Sequence, residues 1–508
     1  MPIRLGEELS LEDVVAVAGG AAVELSAQAA ARMRAARAVV EAKVAAGEIV
    51  YGVTTGFGGL ANVRIPPDAA AALQNAIVRS HATAVGPTLS REEARAMLAL
   101  RAHVLALGRS GVRVDLVERM VDMLNRDLVP VVPEQGSLGA SGDLAPLACL
   151  ALPLIGEGEV LAGGRRMPAR RALAEAGLEP LSLEAKEGLA LVNGTQGMVA
   201  VGILAAQRAT ALAKAADVTA AMTIEACLGT AVAFDERLQA LRPHAGQAAS
   251  AANLRRLLAG SEIGASHRDS DHLVQDAYSL RCTPQVHGAL RDVLGFVDGV
   301  LRTEASSVSD NPIVLAESGE VLSGGNFHGQ PVAVALDALA LATVPVASIS
   351  ERRLFRLLDV TKSNGLPPFL VRDSGVNSGF MLAQYTAASL VSESKTLAHP
   401  ASVDSIPSSA GQEDHVSMGM TAARHAREIV SNAEVVVAIE ALAAAQGLDL
   451  RAPLAAAPGT RAARDAVREV VPFLDVDRTL GPDIEAAVAL VRGGGLVTAA
   501  EAATGPLL

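Results

Sequence analysis

Between Gly136 and Leu147 the chain crowds small residues around one serine: Gly136-Ser137-Leu138-Gly139-Ala140-Ser141-Gly142-Asp143-Leu144-Ala145-Pro146-Leu147. Ala140-Ser141-Gly142 carries a chemistry of its own. The amide nitrogen of Gly142 has no side chain beside it, so a tight turn lets it attack the carbonyl carbon of Ala140. Water leaves as a five-membered ring closes, and a second water leaves from Ser141 to give an exocyclic methylene. The product is an electrophile made from backbone atoms. The same residues equally suit a glycine-rich turn that opens a helix, with Asp143 in the first turn where the helix dipole favours an anion.

Other side chains with chemical potential are scattered along the sequence. Tyr51, one of three tyrosines, opens the glycine-rich loop Tyr51-Gly52-Val53-Thr54-Thr55-Gly56-Phe57-Gly58-Gly59, which suits either a lid or a connector. His81 rides on an expected helix as part of Arg79-Ser80-His81, and Asn193 stands in the polar turn Lys186 to Gln196. The polar segment Ser266 to Tyr278 holds His267, Asp269, Asp271 and His272. Their spacing does not put both imidazoles on one helical face and supplies no evident third or fourth ligand, so the segment reads as structural. Glu413 lies in Gln412-Glu413-Asp414-His415, at the end of a loop that begins at Pro400.

These groups have to be positioned by helices. Half of the 508 residues are hydrophobic but only 2% are aromatic, and tryptophan is absent. A core built from Ala, Leu and Val favours closely packed helices over sheets. Capping patterns at Ser10 and Ser90 open helices, and apolar runs predict long ones over about 26–46, 198–228, 285–308, 330–358, 378–397 and 415–446. A shorter helix is expected over 68–85, and a small hairpin within 156–177. The chain divides near residue 200, into an N-terminal domain over 1–200 that bears the serine loop and a long-helix bundle with C-terminal helices over 201–508. Helices of such length imply an elongated bundle that associates side by side into oligomers. The net charge of −12 argues against nucleic acid or an anionic membrane as partner. Three dispersed cysteines and an N-terminus without a signal pattern predict a cytoplasmic protein. The longest apolar run, 331–349, is interrupted by Asp337 and Pro345 and reads as a buried bundle helix.

Seven stretches taken in order resemble the aromatic amino acid ammonia-lyase family over nearly the whole chain. They are the Tyr51–Gly58 loop, Gly139–Leu147, Val192-Asn193-Gly194-Thr195-Gln196, Gln275–Cys282, Gly325-Asn326-Phe327-His328-Gly329, Leu397–Pro407 and Gln412–Met418. The Gly-Ser-Ser signature loop of true fumarases and aspartases is missing. The resemblance implies an all-α fold of the fumarase/aspartase type, a homotetramer with active sites shared between subunits, and no metal. It also implies that Ala140, Ser141 and Gly142 cyclise autocatalytically to 4-methylideneimidazol-5-one (MIO). Under the family pattern Tyr51 is the base that removes the β-proton, with its pKa lowered by nearby positive potential. Tyr278 and Asn193 support the electrophile, Arg281 pairs the substrate carboxylate, and Gln275 and Phe327 line the site.

Within the family, Ser80-His81 and Gln412-Glu413-Asp414-His415 look like the branch that acts on histidine and yields trans-urocanate. An imidazole both donates and accepts, so a site that reads it wants a carboxylate and a second polar group, here Glu413 and His81. Thr54, Cys149 and Gly411 depart from that branch, and Ala277 and Thr283 look more like tyrosine lyases. The rival readings are a tyrosine or phenylalanine lyase, an aminomutase with the same electrophile, or a helical scaffold without catalysis.

Overall fold

The computed structural model describes residues 1–66, 69–268 and 274–508. Asp269, Asp271 and His272, weighed above as metal ligands, lie outside the described residues. The fold is mostly helical, with short strands in small two- and three-stranded sheets. Ser10 and Ser90 each close a capping box, on Leu11–Ala18 through Asp13 and on Arg91–Ala106 through Glu93. Ser26 caps Ala27–Ala45 by accepting from the Ala29 amide. The expected hairpin is present, with Glu159–Ala162 paired antiparallel to Arg165–Pro168.

Two compact units divide the chain. The first comprises Met1–Leu204, Asp298–Asp337 and Pro400–Arg424; the second comprises Ala205–Val297, Ala338–His399 and His425–Leu508. The first unit thus holds residues 1–200 and adds two later segments, one carrying Phe327 and the other Glu413.

In the first unit, helices Ala70–His81, Leu144–Ala151 and Glu187–Val192 pack on one another. The contact between the first and third leaves no room for a side chain. A Cβ on Gly188 would stand 2.3 Å from the Gln74 carbonyl oxygen. Fully buried Gln74 makes that approach polar as well, since its Oε1 accepts from the amides of Gly188 at 2.9 Å and Leu189 at 3.2 Å. This three-helix knot brings His81 at one helix end, Ser141 just before another helix and Asn193 at the end of the third to one cavity.

In the second unit several buried charges are paired. Asp217 accepts from His287 Nδ1, Arg291, Ser250 and Asn253. Glu440 accepts from Arg353, Thr223 and Ser350. Such pairs offset desolvation and tie helices that otherwise present interchangeable alanine and valine faces. By length and composition alone, Gln196–Ala226 and Gln330–Leu358 are apolar enough to cross a membrane, and the bent pair Gly481–Arg492 with Gly495–Thr504 would add a third span. In the fold, 67% and 56% of the most apolar windows of the first two are buried within the protein.

Candidate active site

The loop around Ser141 is held by its backbone. Gly142 has φ +72° and pairs with Gly194 in an isolated parallel bridge. The Asp143 amide donates to the Gly194 carbonyl at 2.7 Å, and the Gly194 amide donates to the Ser141 carbonyl at 3.3 Å. A Cβ on Gly142 would fall 2.0 Å from that Gly194 oxygen, so only glycine fits. On its other side the loop is clasped by the segment after Glu413. Met418 N donates to Leu138 O at 2.8 Å, and Ser417 Oγ donates to Gly139 O at 3.0 Å. Asp143 is wholly buried, and burial pushes its carboxyl up to about 6 against the pull of the Met198 amide and the Ser137 hydroxyl.

Ser141 opens onto a cavity of about 480 Å³ whose wall includes Tyr51, His81, Asn193, Phe327 and Glu413. Six of the residues expected at the site therefore meet in one place. Glu413 reaches two hydroxyls: Oε1 accepts from Ser141 Oγ at 3.1 Å and Oε2 from Ser408 Oγ at 2.7 Å. His81 Nδ1 lies 2.9 Å from the Ile77 carbonyl, which can only accept, so the proton sits on Nδ1 and Nε2 is left as an acceptor. Burial holds the His81 pKa below its ordinary value, outweighing the Ile77 bond and the Glu413 charge, so the ring is neutral near pH 7.

Asn193 is oriented from behind. Its Nδ2 faces Asn311 O at 3.0 Å and Asp310 Oδ1 at 3.4 Å, both acceptors only, so the carboxamide oxygen points away from them. That oxygen is buried and has no hydrogen-bond partner among the described residues. Its support is a wholly buried charge cluster. Lys186 Nζ donates to Asp310 Oδ2 at 2.7 Å, and Arg101 Nη1 donates to the Asn193 carbonyl and Gln196 Oε1, each at 2.7 Å. Burial raises the Asp310 pKa, but Lys186 and Arg101 together hold it below the usual carboxylate range. Burial brings the Arg101 guanidinium down to about 10, which still leaves it charged at neutral pH.

One expectation needs correcting. The phenol of Tyr51 accepts from the Gly58 amide at 2.9 Å, yet its pKa is raised. Burial is the main cause, and the Glu413 charge adds to it. The helix N-termini expected to lower it lie at Asp143, whose Oδ2 accepts from Met198 N. Gln275, Tyr278 and Arg281 do not line the Ser141 cavity. They belong to the second unit, where Gln275 and Arg281 border a separate cavity of about 370 Å³. Tyr278 is 71% exposed, with the Arg281 guanidinium 4.7 Å from its ring centre. Sequence reasoning passed over Asp310, Asn311, Ser408, Ser409, Arg101 and Lys186. The run Ser309-Asp310-Asn311-Pro312 has the composition of a turn and nothing in it points to the site. Among the described residues no group of three or more His, Cys, Asp or Glu is placed to hold a metal ion.

A model of the aromatic amino acid lyases matches residues 9–469. The chain belongs to the aromatic amino acid lyase family. This lyase is 57% identical over 500 residues to a histidine ammonia-lyase of Anaeromyxobacter sp. (strain K), an alignment covering 97% of this chain and 98% of that one. Histidine ammonia-lyase from Trypanosoma cruzi superposes with a TM-score of 0.91 at 43% identity, over 99% of this chain and 96% of the other. Tyrosine aminomutase from Streptomyces globisporus superposes with a TM-score of 0.95 at 40% identity, over the full length of both. Lyases and mutases in this family share one fold, so the choice of reaction has to be argued from cavity residues.

Proposed function

We propose that this lyase is a histidine ammonia-lyase, eliminating ammonia from L-histidine to give trans-urocanate. The observation that carries the reading is the pairing of a neutral His81, with Nε2 free to accept, and the Glu413 carboxylate on the wall of the cavity that holds Ser141. An imidazole has one N–H and one lone-pair nitrogen. Glu413 takes the N–H, and His81, whose free Nε2 is a second acceptor, borders the same wall. A phenyl ring would leave the carboxylate desolvated without a partner from the substrate.

The loop suits MIO formation. Gly142 is excluded from carrying a side chain, the turn is closed by backbone on both sides, and Asn193 Oδ1 is an unspent acceptor on the cavity wall. Ala140, Ser141 and Gly142 would form the group, and once formed it supplies an electrophilic methylene that takes the substrate amine and makes ammonia a better leaving group. The remaining work falls to the chain. Asn193 would support the electrophile, Phe327 packs on the ring, and Tyr51 takes the β-proton. Because burial and Glu413 hold the Tyr51 phenol above its ordinary value, kcat/KM for histidine rises with pH through the alkaline range.

Gln275, Tyr278 and Arg281 complete the site from neighbouring subunits of a homotetramer, with Arg281 pairing the substrate carboxylate through its planar fork. We place the enzyme in the cytoplasm, in keeping with its three free thiols. Incubation with L-histidine should produce urocanate absorbance together with free ammonia; absence of both sinks the reading. The intact mass should lie two waters below the encoded value, and Ser141→Ala should restore the full mass. A Ser141→Ala protein still two waters light would remove these residues as the precursor. Likeness to the tyrosine aminomutase favours a second reading, in which a β-amino acid is formed. Chromatography of the products from histidine, tyrosine and phenylalanine separates the two.

A further inference from the structure

The glycine loop that carries Tyr51 and the loop that carries Glu413 touch through one side chain. Gly59 N donates to Ser409 Oγ at 3.0 Å, while the neighbouring Gly58 N donates to the Tyr51 phenol oxygen at 2.9 Å. The approach is close, since a Cβ on Gly58 would stand 2.4 Å from Ser409 Oγ and one on Gly59 3.1 Å from Ser409 O. Ser409 and Ala410 are held at φ +52° and +55°, which non-glycine residues seldom adopt without a compensating constraint. Next door, Ser408 pairs with Glu413 across an isolated antiparallel bridge and donates its hydroxyl to Glu413 Oε2. A continuous run of contacts therefore joins Tyr51, the Gly58-Gly59 amides, Ser409, Ser408 and Glu413, and both loops border the Ser141 cavity.

We propose that Ser409 is a positioning residue that latches the Tyr51 loop to the Glu413 loop, so that the group removing the proton is set by the loop that reads the ring. The latch lies within one chain and needs no partner subunit. Ser409 touches no reacting atom; it acts through Gly58 and Gly59. With the hydroxyl removed, Tyr51 loses its fixed distance to the cavity while Glu413 keeps its own bridge to Ser408. The latch rests on the lyase reading for its effect on turnover, but not for its effect on the loop.

Ser409→Ala tests it, with Ser409→Gly as the control that removes the acceptor and relieves the positive φ. Hydrogen exchange of the Gly58 and Gly59 amides, followed by mass spectrometry on the intact enzyme, should quicken roughly two- to tenfold in both variants, the size of one neutral hydrogen bond. Over the same pair kcat for L-histidine should fall while KM moves less, and the intact mass should stay two waters low. Unchanged exchange overturns the latch. So does faster exchange with unaltered kcat, because the loop would then be free of the base. Wild-type behaviour in Ser409→Gly alone would assign the effect to backbone strain and also overturn it. If the wild-type enzyme makes no urocanate, the functional reading fails while the exchange comparison still judges the contact.

Discussion

Glu413 acts on four neighbours at once. It accepts from Ser141 and Ser408, and its charge raises the pKa values of both Tyr51 and His81. Those shifts pull in opposite chemical senses. A phenol with a raised pKa is a base in reserve, protonated until late in the alkaline range, whereas His81 stays neutral because burial outweighs the carboxylate. Glu413→Gln removes the charge but keeps the size. Burial remains, so the Tyr51 pKa should move down without reaching that of a phenol beside a cation. With three tyrosines and no tryptophan, tyrosinate absorbance resolves this directly. The difference between each enzyme and its Tyr51→Phe form isolates one titration, and that curve should shift to lower pH in Glu413→Gln. An identical curve would mean that Glu413 does not reach Tyr51 electrostatically. The same variant should lose activity on histidine more than on phenylalanine, because only imidazole offers the carboxylate an N–H.

At the scale of elements, helices read well and their supports did not. The run from Gln330 to Leu358 forms one helix over that span, Pro345 included, and Ser26 caps the helix expected to start there. The helix expected over 198–228 runs Gln196–Ala226. Periodicity and caps are local, so the sequence carries them. The pairing of Ile3–Leu5 with Val23–Leu25, or of Val85–Thr88 with Pro133–Gln135, depends on partners distant in sequence and shorter than a detectable alternation. At the site, Tyr51, His81, Asn193 and Glu413 were legible because each sits in a distinctive motif. Lys186, Arg101 and Asp310 were not, since a buried charge looks in sequence like any surface charge. Lys186 shows what the cluster does. Lys186→Met leaves Asp310 buried with Arg101 as its remaining cation, and should cost about 3 kcal/mol of stability. Lys186→Met with Asp310→Leu removes that pair but leaves the buried Arg101 guanidinium without a carboxylate, so the loss should not be recovered. Denaturant midpoints check the stability. A double variant as stable as the unaltered enzyme would mean that Arg101 does not depend on Asp310.

The whole molecule poses the largest geometric question. In one chain the Ser141 cavity has Tyr51, Glu413 and Asn193 on its wall, but no Lys or Arg among its lining residues. Arg281 and Tyr278 lie in the second unit, with Tyr278 mostly exposed although large aromatic side chains are favoured at interfaces. A homotetramer answers both observations if the second unit of one subunit supplies these residues to the first unit of another. Complementation separates this from a site completed within the chain. Tyr51→Phe and Arg281→Ala should each be nearly inactive alone. When the two are dissociated, mixed and reassembled, hybrids with shared sites contain some cavities in which Tyr51 and Arg281 are both intact, and activity should return. Sites completed within one chain give every cavity one lesion, and the mixture stays inactive. Return of activity should follow the kinetics of subunit exchange, so it should be absent when the two variants are mixed without dissociation. Restored activity immediately on simple mixing would instead indicate rapid equilibrium with smaller species, and persistent inactivity after verified hybrid formation would rule out the shared site.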